Sequence, residues 1–144
     1  MIEIVTVRTI RCLLYVAGGI HLGILCMNAF LPGLLQYEEN LRKTDPIIRQ
    51  VFYVHNAYIL LVLAFIGAVC VLLPGELITG GRLATVLNGF FMLFWGLRLV
   101  IQMTYYDRTL KNRFYALHLL FTTAIGYLTV LFFWLFLRHV ERLI

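Results

Sequence analysis

The sequence predicts an all-α integral membrane protein, a four-helix bundle of up-down-up-down topology, and three observations carry that prediction. Of 144 residues, 62% are hydrophobic and only 13% charged, where soluble domains carry about 25% charged residues. Four long segments lack Asp, Glu, Lys and Arg: Cys12 to Tyr37, Gln50 to Gly75, Leu83 to Tyr106 with Arg98 as its one exception, and Phe114 to Leu137. Each approaches or exceeds the ~20 residues that cross a ~30 Å hydrocarbon core as a helix. The connections are short, which forces successive helices to run antiparallel as neighbours. Residues 1–144 therefore read as a single transmembrane domain, with spans at about 12–35, 50–73, 83–106 and 114–137.

The first span follows Arg8 and Arg11, the charge pattern that opens a signal peptide. No A-x-A site follows, and Leu25 is bulky where a lipoprotein site ahead of Cys26 needs a small residue, so the span is expected to be retained. Gly19 and Gly23 form a G-x-x-x-G in it, a spacing that lets another helix come close. "TDPIIRQ" starts the second helix: Asp45 can cap it, and Pro46 suits the first helical position. "PGELITGGR" breaks the chain between spans two and three and reads as a tight hairpin, and "DRTLKNR" does the same between spans three and four. In span four, Thr122 and Gly126 repeat the small-residue spacing.

The net charge of +5 would suggest nucleic acid in a soluble protein. Here the basic residues are scattered over short loops and termini, so their expected partners are anionic lipid headgroups and not nucleic acid. With Arg98 left out, Lys and Arg divide five against six between the two sides of the membrane, so the positive-inside rule assigns no orientation. Cys12, Cys26 and Cys70 lie in or beside spans without a C-x-x-C, which removes thiol exchange. No H-E-x-x-H, G-x-S-x-G or glycine-rich phosphate loop is present, so no catalytic residue and no metal site is assigned.

The informative residues are polar ones inside the spans. Asn88, Phe91, Trp95, Arg98, Gln102 and Tyr105 repeat at intervals of three and four, the spacing of one helical seam. Tyr115, His118, Thr122 and Thr129 make a similar stripe on span four, and His21 and Asn28 lie seven apart on span one. Measured inward from the side of the first and third loops at ~1.5 Å per residue, His55, Gln102 and His118 all lie ~7 Å deep, with Arg98 one turn deeper. This layer, fringed by Tyr53, Tyr105 and Asp107, is the candidate site. A lone charge in hydrocarbon costs ~2.5–3.5 kcal/mol on insertion scales, which makes Arg98 its focus. The plain alternative is structural: cross-helix hydrogen bonds that average only ~0.6 kcal/mol, with the arginine snorkelling to the near surface. His139, beyond the last span beside Arg138 and Arg142, is expected to be a solvated headgroup contact.

Two functional readings result. In the leading one the chain is a non-catalytic accessory or assembly subunit, or a lipid or small-anion binding protein, in which Arg98, Gln102, Tyr105 and Trp95 hold an anionic lipid, a carboxylate or an acidic residue of another membrane subunit. In the second, His55 and His118 are axial ligands of haem b across the bundle, or a quinone takes that place, in an electron-transfer subunit. Proton transport would use the histidines as relays, but no span contains Asp or Glu.

The segments "RQVFYVHNAYI" and "FWGLRLVIQMTYYD" resemble stretches of an uncharacterised group of small bacterial four-span membrane proteins. The resemblance covers the middle of the chain and brings no activity or site residue. It implies a bacterial inner membrane as the location.

Overall fold

A computed structural model describes residues 2–34, 36–105 and 115–143. The expected loop "DRTLKNR", its Asp107 and the side chain of Arg142 lie outside the described residues. The chain is all-α, with no strand among the described residues. Six helices are described: α1 (Ile2–Leu34), α2 (Tyr37–Arg42), α3 (Pro46–Leu72), α4 (Pro74–Thr79), α5 (Arg82–Thr104) and α6 (Tyr115–Leu143). Four of them contain stretches long and apolar enough to cross a membrane: Thr6–Asn28, Pro46–Leu72, Arg82–Thr104 and Tyr115–Glu141. The first begins earlier than the charge-free segment did, because Arg8 and Arg11 end the apolar run without ending the helix. Charge locates the hydrocarbon boundary, whereas a helix stops only where its backbone is broken.

The helices fall into two compact units. The unit Leu14–Leu72 contains most of α1, with α2 and α3. Here α1 and α3 run antiparallel at very close range. A Cβ built on Gly18 would collide with Val71, and one built on Gly67 would lie 2.9 Å from His21 Cβ. Among the described residues, Gly19 and Gly23, the pair with the G-x-x-x-G spacing, have no atom of another helix within 4 Å of such a Cβ. The close approach therefore uses Gly18 and Gly67 instead, since helix rotation decides which of the glycines faces the neighbour. As predicted, α3 begins at Pro46, and the Asp45 carbonyl accepts the Arg49 N–H at 3.1 Å. Tyr37 of α2 packs edge-on against Phe52 of α3, with ring centroids 5.4 Å apart.

The second unit, Met1–Leu13 with Leu73–Ile144, is built on the α5–α6 pair. Four contacts fix these helices as antiparallel: Gln102 with His118, Gly96 with Thr129, Phe91 with Phe132 and Gly89 with Phe136. Residue numbers rise along one helix as they fall along the other. Phe91 and Phe132 are fully buried and meet edge to face at 5.1 Å, a geometry worth about 0.5–1.5 kcal/mol beyond area burial. The Tyr127 hydroxyl donates to the Leu13 carbonyl of α1 at 2.9 Å.

Between α3 and α5 the expected tight hairpin contains a helix of its own. Pro74 starts α4 and is buried with Leu77 and Ile78. Proline has no N–H to lose at a first helical position, and the Leu-Ile pair supplies an apolar side to bury. The connection then turns through Gly80 and Gly81, whose φ angles of 90° and 114° exclude ordinary side chains.

Many large apolar side chains are exposed, among them Leu22, Leu61, Phe65, Leu93, Leu97, Leu120 and Val130. A water-soluble surface rarely shows so much apolar area, and acyl chains account for it. Threonine hydroxyls in the spans return to carbonyls four residues back: Thr122 to His118, Thr129 to Ile125 and Thr104 to Val100, each at 2.8 Å. Each hydroxyl is thereby satisfied where water cannot reach it.

Candidate functional site

The α5 seam holds over most of its length. Asn88, Phe91, Trp95 and Gln102 are buried and Arg98 is half-buried, whereas Tyr105, at the helix end, is 84% exposed. The structure brings Gln102 against His118 of α6: the Gln102 amide nitrogen lies 2.9 Å from His118 Nδ1. An amide NH2 can only donate, so Nδ1 accepts and the neutral ring carries its proton on Nε2. Arg98 stands one turn from this pair on the same helix, and Trp95 a further turn on. The result is a half-buried permanent cation one helical turn along α5 from a glutamine–imidazole pair that joins α5 to α6, side chains whose N–H groups suit an anion.

His55 belongs to the other unit. It is exposed, and its Nδ1 donates to the Val51 carbonyl at 2.9 Å, which leaves Nε2 bare. His118 has the opposite tautomer. Ligation of haem iron through Nε2 needs the proton on Nδ1, the form a hydrogen-bonded acceptor would fix. The Gln102 amide imposes the reverse at His118. We expect the purified protein to show no Soret absorption; a Soret band abolished by His118→Ala would contradict this tautomer argument. Among the described residues, no three His, Cys, Asp or Glu side chains group as a metal site.

A second polar cluster falls where the sequence reading put solvent. His139 is 1% exposed, and its Nε2–H donates to the Leu77 carbonyl of α4 at 2.8 Å. The fully buried Asn88 donates to that same carbonyl at 3.2 Å and to the Ala84 carbonyl at 2.9 Å. His139 is therefore no headgroup contact but the clasp that ties α6, with α5, onto the α4 insert. Its position was legible: His118, Ile125, Phe132 and His139 are spaced by seven, and the last three are buried. Extending the stripe by one heptad past the charge-free segment would have placed it on the packed face. Nearby Arg138 lies over the Trp134 ring, 5.7 Å from its centroid, as a cation does at a membrane interface. On α1, His21 is buried with its Nδ1 donating to the Ala17 carbonyl at 2.7 Å, and Asn28 donates to the Ile24 carbonyl at 2.8 Å.

Four membrane-length helices with apolar exposed surfaces, and polar side chains gathered on packed seams, define a polytopic membrane protein. Comparison with family models, curated proteins and solved structures gives no match.

Proposed function

We propose that the protein is a non-catalytic component of a bacterial inner membrane, an accessory or assembly subunit, whose α5–α6 face binds an anionic group: a lipid headgroup or a carboxylate. The observation supporting this is the position of Arg98, half-buried one turn from the Gln102–His118 hydrogen bond. A guanidinium offers a rigid fork of donors to phosphate or carboxylate, and inside a membrane such a contact is screened far less than at a wet surface. The Gln102 amide contributes by holding His118 in the tautomer whose Nε2–H is a further donor.

The test is native mass spectrometry of protein purified in mild detergent, comparing wild type with Arg98→Leu and Arg98→Lys. Wild type is expected to carry an anionic lipid or carboxylate, which Arg98→Leu loses and Arg98→Lys holds weakly. Thermal stability of each variant, measured alongside, separates lost binding from lost packing. A wild-type protein free of any anion, together with a destabilised Arg98→Leu, would assign the arginine to packing and end the proposal.

A further inference from the structure

The unit Leu14–Leu72 contains an open cavity of about 700 Å³ that plays no part in the α5–α6 face. Its polar lining comes from Gln36, from Tyr37, Glu38, Glu39 and Arg42 of α2, and from Arg49 and Tyr53 of α3. Its place in the chain fixes its depth. The first span ends at Asn28 and the second begins at Pro46, so the α2 side chains lie between the spans and Arg49 and Tyr53 lie in the first turns of the second, at the membrane edge. The volume falls within the roughly 300–1,000 Å³ of small-ligand sites.

The charges of the lining sort into two kinds. Arg42 and Glu38 neutralise each other through an exposed i, i+4 ion pair of 2.9 Å. Among the described residues, Arg49 and Glu39 make no ion pair and no side-chain hydrogen bond. One half-buried cation and one exposed carboxylate thus line the same cavity. Two tyrosines stand with them, and a tyrosine ring face attracts ammonium groups. A simple anion would satisfy Arg49 and meet repulsion from Glu39, and a simple cation would meet the reverse. A zwitterion satisfies both. Helices α1 and α3 also carry exposed apolar side chains next to the cavity in sequence, Phe30, Ile48, Val51 and Val54, on which acyl chains can lie.

We propose that this cavity recognises a phospho-ammonium group, with Arg49 on the phosphate and Glu39 and the tyrosines on the ammonium, as in the headgroup of phosphatidylethanolamine. The test uses the full chain, purified and delipidated, and then offered phosphatidylethanolamine or phosphatidylglycerol in mixed micelles, with soluble glycerophosphoethanolamine as a separate probe. Wild type should retain phosphatidylethanolamine in preference to phosphatidylglycerol. Arg49→Gln and Glu39→Gln should each weaken that retention by about tenfold, the loss expected for one charge-assisted contact. Glu39→Gln alone should shift preference toward the anionic lipid. Arg82→Gln, an exposed change in the other unit, is expected to alter neither quantity. Tight binding of the soluble headgroup by itself would name a free phospho-ammonium compound as the ligand, and retention of intact lipid only would name the bilayer; both uphold the chemistry. Equal retention of the two lipids, or unchanged retention in both charge variants with helicity intact, would overturn it.

Discussion

Gly67→Ala is expected to lower the denaturation midpoint of the detergent-solubilised protein by the equivalent of about 1–3 kcal/mol, the usual cost of forcing volume into a packed contact. The new Cβ would lie 2.9 Å from the Cβ of His21. Neither atom can rotate away, because both are fixed by helix backbone, so α1 and α3 must separate. Gly18→Ala should cost less. There the opposing atom is a methyl of Val71, a side chain that is itself 46% exposed and can turn outward. Gly19→Ala and Gly23→Ala are expected to stay within about 0.5 kcal/mol of wild type, as substitutions that touch nothing do. Thermal or sodium dodecyl sulfate titration of the four variants provides the check. A large loss at Gly19 or Gly23 with none at Gly67 would mean that α1 and α3 do not meet as described.

The clasp at the Leu77 carbonyl should show itself as a coupling. Asn88→Ala removes two hydrogen bonds and His139→Ala removes one, so each is expected to destabilise by about 0.5–2 kcal/mol, the range of polar contacts in membrane helices and buried sites. In either single variant the carbonyl keeps one side-chain donor. In the double variant it loses both, and a buried acceptor stripped of donors costs more than the sum of two partial losses. The double-mutant cycle is therefore expected to give a coupling of about 1 kcal/mol. Additive effects would show that the two side chains do not share that carbonyl.

Much of this protein could be read from its residues because a membrane leaves helices few options. Lipid offers no hydrogen bonds to a broken backbone, so long uncharged runs become helices, and α3 starting at Pro46 followed from proline chemistry alone. The α5 seam followed from intervals of three and four, and it held from Asn88 to Gln102. It failed at Tyr105 because that residue caps the helix, and past the last turn the periodicity no longer directs a side chain. The pairing of Gln102 with His118 was within reach of simple depth counting, since an antiparallel pair joined by a short loop puts equal distances from the loop at equal heights.

Sequence by itself determined the class of molecule, the four apolar helices and the inward-facing stripe of α5, because each depends on local chemistry repeated along one helix. Tertiary structure alone decided that Gly18 and Gly67 make the close approach, that the segment after α3 folds as α4 with its apolar side buried, and that His139 closes on Leu77. The reason is common to all three. Rotation of a helix about its own axis leaves its composition and periodicity unchanged, yet that rotation selects which side chains meet a neighbour. It is set by the fit of glycine gaps, aromatic rings and a single carbonyl contributed by other parts of the chain.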